Sequence, residues 1–168
     1  ALVSEGTIYK DKIEFCNSDL EMVDRFKQSW NKCFPNSKLH VFEKKASSYG
    51  KLPYLRCECH CRYTIQFLEN IGLIPVKSDK KLVLKVIFQS PKQVVSSFLS
   101  SYFEGDGSIS HSRKMIELSC CSKSEELIKE LQIIFLRFGI DSFIRFDRYK
   151  DIHKLYIRGK RNLLRFYK

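Results

Sequence analysis

The stretch Leu99-Ser100-Ser101-Tyr102-Phe103-Glu104-Gly105-Asp106-Gly107 ends a segment whose apolar residues recur at helical spacing. Pro91 suits the first turn of that helix. A strip of small residues runs along one side of the helix, which lets a second helix backbone approach closely. The strip consists of Ser97, Ser101 and Gly105. Asp106 follows where we expect the helix to end, and Gly107 is the residue type expected just past a helix C-terminus.

Asp106 is an unusual residue for this position, because a carboxylate at a helix C-terminus faces the negative end of the helix dipole. A metal ion that offsets the charge is one explanation, and a solvated aspartate in a turn is the other. A calcium loop of the EF-hand type is excluded. Counting from Asp106, the required sixth-position glycine is His111, and counting from Glu104, the twelfth-position glutamate is Met115.

The feature occurs twice, because residues 1–8 match residues 102–109. In both, apolar residues lead, and a carboxylate, a glycine, a small hydroxyl residue and an isoleucine follow. At this point the sequence resembles the LAGLIDADG (dodecapeptide-type) homing endonucleases, most of all the endonuclease domains of inteins. Residues 99–107 align with the whole nine-residue signature, and residues 1–6 align with its last six positions.

The resemblance continues beyond the second signature and covers nearly the whole chain. The matching segments are 136–140, 155–160, 162–163 and 166–167. It implies a site-specific double-strand DNA endonuclease that hydrolyses phosphodiesters with divalent metal ions. No terminal His-Asn pair and no Thr-x-x-His pair is present, so nothing supports protein splicing by this segment itself.

The composition of the chain agrees with a nucleic-acid partner. Among 168 residues, 30 are Lys or Arg and 19 are Asp or Glu, which gives a net charge of +11 and indicates a polyanionic partner. The cations are scattered through the predicted elements, which favours a folded binding surface, and a hydrophobic content of 43% argues against disorder. We expect no membrane span and no signal peptide. We interpret the seven cysteines as the reduced thiols of a cytoplasmic protein.

The periodicity predicts the order α-β-β-α-β-β-α twice, an α+β fold. The first half takes residues 1–75, a linker 76–91, and the second half 92–168. The resemblance implies that each half has a saddle-shaped antiparallel sheet and that the signature helices of the two pseudo-twofold-related halves pack at the centre of a monomer. The chain opens inside the first signature helix, so we expect it to be an excised or truncated piece.

Cysteines follow a period of two between Cys57 and Cys61, which on a strand places their thiols on one face. That spacing differs from the C-x₂-C pair of structural zinc sites, so core-facing thiols are favoured over a zinc site. Cys120 and Cys121 point to opposite faces of a strand, and no chemistry is assigned to them. The four histidines have no shared spacing that indicates a metal cluster.

Glu5 and Asp106 are the predicted metal-binding and catalytic carboxylates, a role that the resemblance assigns to their positions. Two-metal sites activate the attacking water, neutralise the transition state and stabilise the leaving oxygen. Carboxylates suit Mg²⁺, which binds few protein oxygens and keeps several waters. We therefore expect two or more Mg²⁺ ions. Glu5 stands where the signature has Asp, so metal placement in the first half can differ.

The resemblance also implies a lysine near the last strand of each half that orders or activates the water. Lys150 is predicted in the second half, with Lys154 as its competitor. In the first half the choice is Lys51, with Lys45 as the alternative. A solvated surface cation is the simpler interpretation of each of these lysines.

The polar faces of the predicted strands are expected to contact DNA, because β-ribbons fit the major groove. Most cations should meet phosphates and add affinity without specificity. The predicted contact residues are Lys10, Lys12, Lys38, His40, Arg56 and His60 in the first half, and Arg113, Arg145, Lys154, Tyr156 and Arg158 in the second.

Two other functions remain open. A catalytically inactive DNA- or RNA-binding relative of the maturase type fits the same carboxylates and charge. A basic structural domain is the third candidate, and the duplicated acidic turns argue against it.

Overall fold

The structure is a computed structural model that describes residues 1–46, 52–112 and 115–167. It divides into two compact units, Ala1–Pro75 and Val76–Lys168. The elements of unit 1 are α1 (Leu2–Glu5), β1 (Gly6–Ile8), β2 (Ile13–Asn17), α2 (Leu20–Cys33), β3 (His40–Lys44), β4 (Tyr54–Cys59) and α3 (Arg62–Asn70). Those of unit 2 are a 3₁₀ turn (Ser78–Lys80), α4 (Lys85–Gln89), α5 (Lys92–Asp106), β5 (Gly107–Ser112), β6 (Met115–Ser122), α6 (Glu125–Leu136), β7 (Ser142–Asp147), β8 (Ile152–Arg158) and α7 (Lys160–Tyr167).

Each unit contains one four-stranded antiparallel sheet. The strand orders are β1-β2-β4-β3 and β5-β6-β8-β7, so the two sheets have the same topology. The predicted α+β class and the repeated α-β-β-α-β-β-α order are confirmed. Residues 76–91, predicted as a linker, carry the 3₁₀ turn and the short helix α4.

The strand registers relate the two units position by position. Gly6 pairs with Phe15 in unit 1, and Gly107 pairs with Cys120 in unit 2, so Cys16 and Cys121 are equivalent. Their cross-strand partners on the next strand are Arg56 and Lys154. Side chains alternate between the two faces of a sheet along each strand. Equivalent residues of the two units therefore lie on the same face, and the two equivalent cysteines and their cross-strand partners lie on the face that points away from the helices.

The core of unit 1 lies between its sheet and α2. The Phe15 ring stacks on the Phe26 ring with centroids 4.1 Å apart, and Trp30 donates from Nε1 to the Ser37 carbonyl oxygen at 2.9 Å. Cys57 and Cys59 are buried in this core, as predicted. Cys61, predicted to face the core from the same strand, lies beyond the end of β4 at the start of α3 and is half-buried.

The core of unit 2 is built by α6 against β6 and β8. The buried stripe of α6 has helical spacing and packs on apolar residues of the two central strands. These residues are Leu127, Ile128, Leu131, Ile134 and Phe135 on the helix, and Leu118, Cys120, Leu155 and Ile157 on the strands. Ser124 begins the helix, and its Oγ accepts a hydrogen bond from the Leu127 backbone N–H at 3.2 Å.

The junction between α5 and β5 differs from the predicted one. The helix runs through Asp106, and Gly107 adopts extended backbone with φ −86° instead of the left-handed conformation of a C-cap. Glycine is needed there for space, because an added Cβ would collide with the Phe103 carbonyl oxygen. Gly6 follows α1 in the same way, with its Cβ position blocked by the Leu2 carbonyl oxygen. Helix and strand thus meet without a loop in both units.

We expect Gly107→Ala to destabilise the protein by about 1–3 kcal/mol, the usual cost of forcing a methyl group into filled space. The measurement is the urea midpoint of unfolding followed by circular dichroism. Ser108→Ala is the matched control, since Ser108 is the next residue and its side chain is exposed. Equal midpoints for the two variants would contradict the close approach at Gly107.

Candidate functional site

In unit 2, Asp106 lies at the head of a row of polar side chains that crosses the sheet. It is the last residue of α5 and immediately precedes Gly107, the partner of Cys120. Extending this antiparallel register by one residue places Asp106 next to Cys121. Cys121 pairs with Lys154, and Lys154 pairs with Arg145. We call Asp106, Cys121, Lys154 and Arg145 the unit 2 row.

Unit 1 repeats this arrangement with other residue types. Glu5 ends α1 and precedes Gly6, which pairs with Phe15. Extending this register by one residue places Glu5 next to Cys16. Cys16 pairs with Arg56, which pairs with Phe42 on β3. The unit 1 row is therefore Glu5, Cys16, Arg56 and Phe42. Both rows set a carboxylate, a thiol and a cation side by side.

The electrostatics of the rows agree with this geometry. Burial raises the pKa of the Cys121 thiol, the charge of Asp106 raises it further, and Lys154 and Lys150 oppose the increase. Burial likewise raises the pKa of Cys16, whose charged neighbours include Arg56 and Glu5. Both thiols are therefore protonated at neutral pH.

Asp106 is a partly buried carboxylate whose charged form is disfavoured by its surroundings. Burial raises its pKa, and the nearby Tyr102 hydroxyl and Lys81 charge work against the increase. Tyr102 lies one helical turn earlier on α5 and is 1% exposed. Its hydroxyl makes no hydrogen bond of normal geometry with the described residues. A cation bound at Asp106 would stabilise the charged form of the carboxylate and lower its pKa.

The predicted lysines lie in different surroundings. Lys154 is on β8 within the unit 2 row, and its Nζ contacts Asp147 Oδ2 at 2.8 Å. Lys150 is exposed in the turn between β7 and β8. Lys45 is exposed just after β3, and Lys51 lies outside the described residues.

The outer face of the unit 1 sheet carries a network of charges around two buried carboxylates. Glu14 and Glu58 are direct cross-strand partners and are 8% and 5% exposed. Lys12 Nζ lies 2.5 Å from Glu14 Oε1, and Arg56 Nε lies 2.9 Å from Glu58 Oε1. His60 Nε2 is 3.4 Å from Glu58 Oε2.

Burial by itself would raise the pKa of Glu58. The pKa is nevertheless lowered, because hydrogen bonds with Glu14 and His60 and the charges of Arg56 and Lys12 favour the carboxylate. The hydrogen bond to Glu14 raises the pKa of Lys12. The cations of this face are thus neutralised within the protein, whereas the sequence predicts them as partners for DNA.

The equivalent face of unit 2 is aromatic at its centre. Ser119 and Tyr156 take the positions of Glu14 and Glu58, and Tyr156 stacks on its cross-strand partner Phe143. Arg158 is paired with Glu117. Arg145 is exposed, and no carboxylate among the described residues forms an ion pair with it.

The remaining predicted DNA contacts lie at the edges of the unit 1 sheet. Lys10 is exposed in the β1–β2 turn, Lys38 is exposed before β3, and His40 is exposed at the start of β3. The predicted contact Arg113 lies outside the described residues.

The sequence missed three features of the site. Tyr102 has the spacing of an apolar helix residue, and nothing in that pattern indicates a hydroxyl beside Asp106. Cys16 and Cys121 were given no role, and only the strand register brings them next to the carboxylates. The Glu14–Glu58 pair could have been found from alternation, because both residues fall on the polar face of adjacent predicted strands.

Neither carboxylate belongs to a complete protein metal site. Within residues 1–46, 52–112 and 115–167, no three His, Cys, Asp or Glu side chains cluster closely enough to hold a metal ion. The described helices include none that is long and apolar enough to cross a membrane.

Comparison with known families supports the LAGLIDADG part of the resemblance stated above and does not itself support the link to inteins. Residues 93–168 match the family model of the LAGLIDADG-like domain. The chain is 30% identical over 146 residues to the replication factor C small subunit of Methanocaldococcus jannaschii, covering 87% of the chain and 7% of that protein. It is 32% identical over 146 residues to a DNA polymerase of Thermococcus litoralis, covering 86% of the chain and 7% of the polymerase. A probable translation initiation factor IF-2 of Thermococcus kodakarensis matches 52% of the chain at 40% identity, over 7% of its own length.

Solved structures share the fold. The full-length WhiA protein from Thermatoga maritima matches 98% of the chain and 50% of its own with a TM-score of 0.67 at 17% identity. The homing endonuclease I-WcaI, bound to its DNA recognition sequence, matches 99% of the chain and 75% of its own with a TM-score of 0.67 at 12% identity. I-DmoI in complex with DNA and Mn matches 96% and 84% with a TM-score of 0.65 at 12% identity.

The chain therefore has the LAGLIDADG homing endonuclease fold. Its residues 93–168, which include α6, β7, β8 and most of α5, are a LAGLIDADG-like domain. The chain spans 7% of the length of each of the three curated relatives named above.

We expect Asp106→Asn to stabilise the folded protein at neutral pH, because it removes a partly buried charge from a helix C-terminus. The pKa of Asp106 is raised on folding, so the ionised carboxylate opposes folding. The gain should be present at neutral pH and should vanish as the pH falls below about 3.8, where the wild-type group is protonated in the unfolded chain as well.

Urea midpoints at several pH values measure this gain. Asp141→Asn is the matched control, because it makes the same chemical change at an exposed aspartate. A loss of stability in Asp106→Asn at neutral pH would contradict the unfavourable surroundings of the carboxylate.

Proposed function

We propose that the chain is a site-specific endonuclease that binds duplex DNA with the outer faces of its sheets and hydrolyses phosphodiesters with divalent metal ions at Glu5 and Asp106. The observation that carries the proposal is the repeated row of carboxylate, thiol and cation. Two units with different residues keep a carboxylate at the same helix–strand junction, and in unit 2 burial raises the pKa of that carboxyl, so its charge opposes folding. A carboxylate held twice at one position, at a cost to stability in unit 2, supports a functional role.

The donor chemistry of the rows fits Mg²⁺. Glu5 and Asp106 supply hard oxygen ligands, and the neighbouring thiols are protonated and therefore poor ligands. Each carboxylate would leave most coordination positions to water and to phosphate oxygens of the DNA, as Mg²⁺ prefers. When bound, the metal ions would activate water and neutralise charge on the phosphate. The I-DmoI structures with Mn and Ca support the use of divalent ions in this fold.

Lys154 is the better candidate than Lys150 for the lysine that orders the attacking water. It lies in the unit 2 row, separated from Asp106 by strand β6 alone, whereas Lys150 is in an exposed turn. Asp147 fixes the Lys154 ammonium group, and its hydrogen bond raises the pKa of Lys154. A lysine held protonated would orient water and phosphate oxygens and would not accept a proton. Its unit 1 equivalent is Arg56.

The curated relatives support a segment inserted into larger host proteins. A replication factor, a DNA polymerase and a translation initiation factor perform different tasks, yet each contains a stretch similar to this chain over 7% of its length. Such a shared stretch does not supply their different activities. An intein-type parent explains the pattern, and the free state of all seven cysteines supports the cytoplasm as its location. We propose that the chain acts as a monomer with two pseudo-symmetric halves.

A DNA- or RNA-binding domain without cleavage activity is the second candidate. The similarity to the WhiA fold and the internal ion pairs of Arg56 and Lys154 favour it. Metal-dependent cleavage separates the two functions.

We expect Asp106→Asn to abolish Mg²⁺-dependent cleavage of at least one strand while DNA binding persists, because a metal ligand is lost and the sheet faces are unchanged. Cleavage is measured on end-labelled duplex so that each strand is resolved, and Glu5→Gln should affect the opposite strand. Asp141→Asn is again the control for the chemical change. Wild-type DNA binding without cleavage at any Mg²⁺ concentration would favour the second candidate.

We also expect salt-sensitive DNA binding, because of the +11 charge. If about 6–10 phosphates are neutralised, affinity should fall by roughly three to five decades between 50 and 200 mM salt. Lys10→Gln should reduce the slope of log affinity against log salt by about one. Lys27→Gln is the control, since Lys27 lies on α2 and is paired with Asp24. A flat salt profile would contradict the nucleic-acid function.

A further inference from the structure

The outer face of the unit 2 sheet carries an aromatic pair flanked by two arginines. The rings of Phe143 and Tyr156 stack with centroids 5.1 Å apart and planes 16° apart. The Arg158 guanidinium carbon lies 4.7 Å from the Phe143 ring centroid, and that of Arg145 lies 5.4 Å from the same centroid. The ring faces are therefore occupied by each other and by guanidinium groups.

The two arginines differ in their charged partners. Arg158 is paired with Glu117, its cross-strand neighbour. Arg145 lies opposite Lys154, whose charge is taken by Asp147. Among the described residues no carboxylate pairs with Arg145, so its guanidinium N–H donors remain available to a ligand. The contact with Phe143 limits the orientations of the guanidinium group and lowers the entropy lost when it binds.

We propose that Arg145 reads a guanine in the major groove of the target duplex, with Phe143 and Tyr156 as the residues that position its guanidinium group. The inference rests on the proposed binding of duplex DNA. A guanidinium group donates two parallel hydrogen bonds to O6 and N7 of guanine, a pattern that no other base offers in the major groove. An arginine on the open face of a sheet can present such a fork to a groove.

Stacking of unpaired bases is a poorer explanation of the aromatic pair. Proteins that bind single strands on a sheet offer open aromatic faces to the bases. Here the Phe143 and Tyr156 faces are already in contact with each other and with the arginines.

The equivalent strand positions of unit 1 carry no such arginine. The position of Arg145 is taken by Phe42, and that of Phe143 is taken by His40. The Arg56 guanidinium lies over Phe42 at 5.6 Å but is paired with Glu58. Guanine reading of this kind should therefore occur only in the part of the target that unit 2 contacts.

The experiment begins with selection of bound duplexes from a random-sequence library by the whole chain. Anisotropy titrations then compare the selected duplex with each of its single-base-pair variants. We expect one G·C pair whose replacement weakens wild-type binding about tenfold or more. With Arg145→Ala the same replacement should change binding by less than about twofold, a value far below that of a bidentate contact.

Two further variants separate charge from base reading. Arg145→Lys keeps the charge but not the planar fork, so it should retain most of the affinity and lose the preference for guanine. Arg148→Ala removes one cation from the exposed β7–β8 turn and should keep the full preference. Thermal melts of all variants check that the sheet is intact.

Three results would overturn the inference. A uniform loss of affinity in Arg145→Ala with an unchanged base profile would make Arg145 a phosphate contact. If the wild-type chain binds duplex DNA but none of its base preferences changes in Arg145→Ala, Arg145 does not read a base. The proposed DNA binding would then still stand. Absence of any duplex binding would remove the proposed function together with the inference.

Discussion

The direct passage from helix to strand at Gly6 and Gly107 is the constraint on which the rest of the structure depends. At both places the backbone turns from α-helix into extended strand with no loop between, and the preceding helical carbonyl occupies the space of a Cβ. The residue before each glycine is thereby fixed at the end of a sheet ladder. A carboxylate there cannot move to solvent by rearranging a loop, so Glu5 and Asp106 hold fixed positions beside Cys16 and Cys121.

The two units have the same sheet topology but different side chains on their outer faces, charged in unit 1 and aromatic in unit 2. Where unit 1 has the buried Glu14–Glu58 pair with its attendant cations, unit 2 has Ser119 and the stacked Tyr156 and Phe143. A buried ion network is costly to desolvate and gains little stability over an apolar replacement. Its value lies in holding Lys12, Arg56 and His60 in defined orientations. Unit 2 achieves orientation with rings in place of carboxylates, and so retains the charge of Arg145.

Periodicity was enough to predict the α+β class and the repeated order of helices and strands, because the longer helices carry apolar stripes and the strand segments alternate in sequence. The shape of the sheets was implied only by the family resemblance. Glu5 and Asp106 were located by the repeat of residues 1–8 at residues 102–109, and their role was implied by the resemblance. What the sequence could not supply was the partner of each cation. The sequence predicts Arg56 and Lys154 as exposed strand residues, yet Arg56 forms an ion pair with Glu58 and Lys154 forms one with Asp147. The choice between Lys150 and Lys154 also depends on register, since only pairing with Cys121 brings a lysine into the unit 2 row.

The thiol of the unit 2 row explains how the partly buried Asp106 and the Lys154 cation can lie in one row although Lys154 forms its ion pair with Asp147. Cys121 stands between Asp106 and Lys154, and Cys16 stands between Glu5 and Arg56. A protonated thiol is small, weakly polar and a poor hydrogen-bond acceptor, so it separates the charges without competing for either. Lys154 then pairs with Asp147, and the pKa of Asp106 stays raised because burial outweighs the opposing charge of Lys81. Replacing the thiol by a bridging polar group would link the row and lower that pKa. The carboxylate would then have less to gain from a bound metal ion.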